Sequence, residues 1–320
     1  MSEFDLIARY FTRPSTPSAH VVLGIGDDCA LLQTGALQQA ISTDMLVEGR
    51  HFFADADARQ LGHKCLAVNL SDLAAMGARP VGFTLALALP SINEAWLQQF
   101  SEGLFALADQ FDCTLIGGDT TCGPRTICIT VFGEVAAGQA LRRDMAQVDD
   151  DIWVSGAIGE ARLALAHRRG ELTLSANDLH AAATRMDQPS PRVELGRALV
   201  GIANAAIDIS DGLAGDLGHI LVRSQLGARC QLDCLPVGAA LKSQTVQLQT
   251  EFCLAGGDDY ELCFTAPVEH RNAVIAAALK VGVAVTRIGR IEAIAGLRWQ
   301  KSNGSLLDQA FSSFDHFISP

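Results

Sequence analysis

Five short stretches of this chain set aspartate beside glycine or a hydroxyl. They are "GIGDDCALL" around Asp27 and Asp28, "AISTDMLVEGRHF" with Ser42, Thr43 and Asp44, and "NLSDLAAMG" with Asp72. "LIGGDTT" carries Asp119, and "AIDISDGLAGDLGHI" carries Asp208, Ser210, Asp211 and Asp216. Taken singly, Asp and Gly are ordinary residues of caps and turns. Asp72 is different: Leu70, Leu73, Ala74, Ala75 and Met76 leave it little polar face, and an ionised carboxylate there needs a partner. Lys and Arg are scarce in these segments, so a hard cation that takes carboxylate, hydroxyl and phosphate oxygens is the natural one, and Mg2+ is such a cation. Two adjacent carboxylates such as Asp27 and Asp28 also repel, and shared metal would repay the arrangement. Many carboxylates at strand ends would hold more than one ion, and bridging metals suit phosphoryl transfer.

Other phosphate and metal sites are excluded by pattern. No Gly-x-x-x-x-Gly-Lys-Ser/Thr loop occurs, none of the four lysines (Lys64, Lys242, Lys280, Lys301) follows a glycine-rich turn, and no EF-hand loop is present. A nucleotide would therefore rest on metal, backbone amides and arginine, with Arg142 and Arg143 able to offer guanidinium forks. The balance of 24 basic against 36 acidic residues, a net charge of −12, disfavours nucleic acid or an anionic membrane as partner. Nine cysteines, several within apolar runs, read as small buried hydrophobes of a reducing compartment. With no signal-peptide pattern and no apolar run of membrane-spanning length, a cytoplasmic protein is expected.

The elements that must position these acids are those of a mixed α/β fold. Phe4, Ile7, Ala8 and Phe11 predict a short opening helix. Strands are expected at 21–24, 40–43, 81–89, 113–119 and 126–135, a buried helix over 60–80 stopped by Gly77 and Pro80, and a second helix over 92–111. The polar stretch "GQALRRDMAQVDDD" marks a boundary, giving domains 1–137 and 138–320. Beyond it, helices are expected near 159–169, 176–186 and 192–203. "GGDTT" and "GGDDYEL" punctuate the two halves alike and hint at related α/β units.

Together "GIGDDCALL", "ISTDMLVEGRHF", "AVNLSDLAAMGA", "LIGGDTT", "AIDISDGLAGDLGHI" and "GGDDYELCF" resemble the bacterial thiamine-monophosphate kinase family, with similarity from "FDLIARYF" to "FDHFISP". The resemblance implies the two-domain α/β (α+β) fold of the aminoimidazole ribonucleotide synthetase superfamily: an N-terminal mixed-sheet domain that binds ATP and Mg2+ and forms a homodimer, and a C-terminal α/β domain that completes the site. It implies a transferase that uses ATP to phosphorylate thiamine monophosphate, the final step to thiamine diphosphate. Asp28, Ser42, Thr43, Asp44, Asp72, Asp119, Asp208 and Asp211 would bind several Mg2+ ions, and whether K+ assists stays open. Gly118, Asp119, Arg143 and Ser210 would meet ATP, and His51, Asp258 and Phe314 would meet the substrate. The family commonly has Glu at the position of Asp258 and an indole or phenol ring at that of Phe314. No general base or covalent nucleophile is expected, because the attacking phosphate, with a second pKa of about 6, is already ionised. The alternatives are another ATP-using member of the superfamily or a non-catalytic metal- and nucleotide-binding protein.

Overall fold

The computed structural model describes residues 20–308 together with Ile7, Arg9 and Phe311. Of the opening helix expected around Phe4–Phe11 only Ile7 and Arg9 are described, and Phe314 falls outside the described residues.

The first half runs β1 (Val21–Leu23), β2 (Ala30–Thr34), β3 (Leu37–Val47), α1 (Ala58–Ala75), β4 (Arg79–Leu89), α2 (Glu94–Gln110), β5 (Thr114–Cys122) and β6 (Thr126–Ala136). The second runs β7 (Asp151–Ser155), α3 (Glu160–Arg168), α4 (Ala176–Asp187), α5 (Val193–Leu199), β8 (Ala205–Asp208), α6 (Leu213–Ser224), β9 (Gly227–Gln231), α7 (Val246–Ala255), β10 (Leu262–Ala266), α8 (Arg271–Lys280), β11 (Val285–Glu292) and β12 (Gly296–Gln300). Each half builds a six-stranded mixed sheet, in the orders β1-β2-β3-β6-β4-β5 and β12-β9-β11-β7-β10-β8. Only β4–β5 and β12–β9 pair in parallel among the described residues.

One helix joins the two sheets. Asp57 caps α1 by accepting from the Gln60 N–H at 2.9 Å, and Gly77, at φ +66°, follows its end in the left-handed conformation that closes helices. Between these punctuation marks 14 of its 18 residues are buried, so α1 has no solvent stripe and must be covered on every side. It packs on β3 and β6 of the first sheet, on β8 of the second, and on α2 and α5. Leu66, Leu70 and Leu73 are fully buried, each stabilising by about 1.5–3 kcal/mol. The helices approach closely at glycine: a Cβ on Gly62 would stand 2.0 Å from the Phe100 carbonyl oxygen, and one on Gly103 1.8 Å from that of Arg59. One apolar core runs from the first sheet across α1 to Trp153 and Phe264, whose rings stack at 6.4 Å, and a second fills the far face of the second sheet.

The two Gly-Gly-Asp segments do not occupy equivalent places. The first lies inside the edge strand β5, the second in the loop leading into β10, an inner strand. Between the sheets, a single helical turn at Arg143–Met145 is held by Ser224, whose Oγ donates to the Arg143 carbonyl at 2.8 Å and accepts from the Ala146 N–H at 3.2 Å.

Candidate active site

Alternation along β3 turns Ser42 and Asp44 toward α1 and Thr43 to the opposite face, where its hydroxyl bonds to that of Thr130 at 2.9 Å. From α1, Asp72 accepts a short bond from the Ser42 hydroxyl, and Ser71 donates to Asp208 at 2.7 Å. Asp28 follows the turn after β1. Oxygens of Asp28, Asp72 and Asp208 thereby converge within 4.8 Å of one another, drawn from a loop of the first half, the helix α1 and a strand of the second sheet. Asp44 sits beside them, its backbone N–H on Asn69 at 3.3 Å.

The group is only partly compensated electrostatically. Burial, then neighbouring Asp44, Asp208 and Asp28, pushes Asp72 well above the usual carboxylate range, and burial with Asp28 does the same to Asp208. Asp44 is raised to about 6, by burial first and Asp28 second. The guanidinium on the cluster is Arg143, which grips Asp28 with two bonds of 3.0 and 2.7 Å. Its own backbone N–H donates to Asp27 at 3.1 Å, while Asp27 also accepts from the Asp28 N–H at 3.0 Å. Burial and Asp28 hold Asp27 up at about 7. Several hard, buried oxygens facing one point, with one guanidinium to balance them, fit a divalent cation with a preference for oxygen ligands.

The remaining expected residues lie around this centre. The Asp216 carboxylate collects the N–H groups of Ser210, Asp211 and Gly212 at 3.1, 3.2 and 3.1 Å, fixing the turn that presents Ser210 and Asp211. Gly118 stands on β5 with no room for a side chain, since a Cβ would meet the Leu85 oxygen at 1.9 Å. Asp119, beside it and paired with Ala86, is exposed and stands outside the three-carboxylate group. His51 belongs to the turn after β3, where its Nδ1 accepts from the Val47 N–H at 3.0 Å. Asp258 has a left-handed backbone, φ +68°, and accepts from buried Lys64 at 2.9 Å. Sequence reasoning placed Asp216 among the clustered acids without a role of its own and gave no part to Lys64 or Ser71. An acid one turn into a helix after Ser-Asp-Gly was a signal for Asp216, whereas nothing local linked Lys64 or Ser71 to partners so far along the chain.

A two-sheet chain with carboxylates gathered at the junction is the architecture of the AIR synthase related proteins: the N-terminal domain of that family matches residues 26–135 and its C-terminal domain residues 147–300, so the chain belongs to it. Within that family it belongs to the thiamine-monophosphate kinases. It is 47% identical to the thiamine-monophosphate kinase of Salmonella typhimurium over 99% of both chains. The crystal structure of the thiamine-monophosphate kinase from Stenotrophomonas maltophilia superimposes with a TM-score of 0.81 at 47% identity, covering 90% of this chain and 93% of that one. A structure described as AaThiL complexed with AMPPCP and TMP gives 0.84 at 28% identity, covering 99% and 97%.

Proposed function

We propose that this protein transfers the γ-phosphoryl group of ATP to thiamine monophosphate, giving thiamine diphosphate and ADP, the last step in making that cofactor. The observation that carries this reading is the meeting of Asp28, Asp72 and Asp208 in a chain 47% identical to a thiamine-monophosphate kinase.

Asp28, Ser42, Thr43, Asp44, Asp72, Asp119, Asp208 and Asp211 are the proposed holders of several Mg2+ ions. Magnesium bound there supplies Lewis-acid neutralisation of phosphate charge. The chain's own residues bind and orient. Arg143 presents a planar fork that matches phosphate oxygens. Asp216 engages the Ser210 N–H and so holds the turn from which Ser210 would meet ATP. Gly118 lets backbone and nucleotide approach closely, and Asp119 joins it. His51, Asp258 and Phe314 receive the thiamine end. No side chain needs to remove a proton, because the accepting phosphate, with a second pKa of about 6, is a dianion near neutral pH. Direct in-line transfer by positioning and electrostatics follows, without a phospho-enzyme.

Incubating the protein with ATP, Mg2+ and thiamine monophosphate is expected to yield thiamine diphosphate, resolved by chromatography, and none after chelation. ATP binding with no product would overturn the reading and favour a binding protein. Turnover of an aminoimidazole precursor instead would point to the sister activity. Parallel runs in sodium and potassium salts read any assistance by K+.

The proposed homodimer joins through the first sheet. Met45, Val81 and Ile116 are exposed there, and the edge strand β5 is exposed almost throughout, an unpaired template for a second chain. Sedimentation should give twice the 33.9 kDa chain mass, and Ile116→Lys should shift it toward monomer. The cytoplasm is the proposed location, in keeping with nine free cysteines and with the finding that no helix among the described residues is long and apolar enough to cross a membrane.

A further inference from the structure

Lys64 is 5% exposed, and its ammonium is ion-paired at 2.9 Å to Asp258. Burying a lysine is costly unless its charge is met, and the partner here comes from the other half of the chain. The second oxygen of Asp258 accepts from the Tyr260 hydroxyl at 3.2 Å, so both oxygens are held while a third of the side chain remains open. The segment bearing Asp258 is strained, with Asp258 at φ +68° and Tyr260 at φ +49°, a cost that persists only where surrounding bonds impose it. Those bonds run to the turn that carries Ser210: the Asp258 N–H donates to the Ser210 oxygen at 2.9 Å, and the Tyr260 N–H to that of Ile209 at 2.8 Å. Lys64 and Asp72 are eight residues apart on α1, about 2.2 turns, and so lie about 80° apart around the helix and about 12 Å apart along it. One helix therefore meets the carboxylate cluster at one point and the Asp258 segment at another.

We propose that Lys64 is a positioning residue for the thiamine end of the substrate: by pinning Asp258 across the two halves, it fixes where the cationic ring system docks relative to the phosphate bound at the cluster. This rests on the reading of Asp258 as a substrate contact. Lys64 itself touches neither substrate nor ATP, and its effect passes through Asp258. Removing the ammonium leaves a carboxylate free to turn in a strained loop, which weakens the ring contact and spares the nucleotide.

The test is a double-mutant cycle on Lys64→Met and Asp258→Asn in the full-length protein. Lys64→Met is expected to raise KM for thiamine monophosphate about 10-fold or more, with kcat and KM for ATP changing less than about 2-fold, an effect of the size seen when an orienting partner is lost. The double variant should match Asp258→Asn alone, because once the carboxylate is gone there is nothing to position. Equal rises in both KM values, or a Lys64→Met effect that persists undiminished in the Asp258→Asn background, would overturn the proposal. If Lys64→Met alone does not fold, the double variant, with no unpaired buried charge, carries the same comparison against Asp258→Asn. Should the wild type make no thiamine diphosphate, the functional reading falls separately, and calorimetric binding of thiamine monophosphate to the same variants still decides the role of Lys64.

Discussion

Asp72→Asn is expected to lower thiamine diphosphate formation by about 10²–10³-fold, the scale of losing one preorganised electrostatic contact, while making the metal-free protein more stable. Both effects have one cause. Asp72 lies in an apolar helix whose packing cannot be relaxed, and it faces Asp44, Asp208 and Asp28 with Ser42 as its hydroxyl donor. Its charge is costly in the empty site. An amide of the same shape keeps an acceptor for Ser42 and removes the repulsion, so metal-free Tm at pH 8 should rise by about 2–4 °C for each kcal/mol relieved. The Mg2+-induced rise in Tm should shrink in the variant, because one ligand is gone.

The pH dependence has a definite sign. Asp44 titrates at about 6 in the folded chain against 3.8 ordinarily, and Asp27 at about 7. Through that interval the folded state holds protons that the unfolded state has released. Metal-free stability contributed by these groups is therefore present below about pH 4 and is lost as pH rises toward 6 and 7. Saturating Mg2+ favours the ionised forms and should flatten or reverse the trend. A wild-type metal-free melt that rises from pH 5 to pH 7, or an Asp72→Asn variant that melts lower at pH 8, would contradict this account.

How far the site could be read before the fold was known depends on the range of each interaction. Helix α1 was legible because its signals are local: the apolar run stopped by Gly77 marked it and forced attention onto Asp72, although its cap, Asp57, was not singled out from the sequence and the helix ends at Ala75, ahead of Pro80. The strand-to-turn-to-helix setting of Asp208 and Asp211 was legible for the same reason. Thr43 shows where alternation matters, since a hydroxyl one residue from Ser42 and Asp44 points through the opposite face of the sheet. Asp119 shows the effect of an edge strand, on which its side chain is exposed and is not one of the three converging carboxylates. The contacts Ser71–Asp208, Lys64–Asp258 and Arg143–Asp28 join segments far apart in the chain; the first two are a product of α1 lying between two sheets, and the third of the turn at Arg143–Met145 meeting the bend before β2. The similar punctuation of "GGDTT" and "GGDDYEL" misleads for the converse reason: a short glycine–acid motif serves an edge strand in one half and a loop in the other.

Arg143→Met should separate the structural from the nucleotide-binding work of this side chain. The Arg143 side chain is 15% exposed and its guanidinium bonds both oxygens of Asp28; burial opposes its charge, but Asp28 and the acids around it outweigh this and raise its affinity for a proton. Deleting one partner of a buried pair leaves an uncompensated charge, which costs about 3–5 kcal/mol. The metal-free variant should thus melt well below wild type. Magnesium supplies positive charge at the same carboxylates, so saturating Mg2+ should recover most of that loss. It cannot restore a planar fork for phosphate, and KM for ATP should stay raised by about 10-fold or more even when the fold is rescued. Arg143→Lys, which keeps the charge without the fork, should melt near wild type in the absence of metal and still bind ATP weakly. Melting curves with and without Mg2+, set against KM for ATP, distinguish the outcomes. Stability that Mg2+ cannot recover, with KM for ATP unchanged, would make Arg143 a domain-linking residue alone. Rescue of stability with a persistent ATP defect would mean that the same guanidinium balances Asp28 in the empty site and grips phosphate in the filled one.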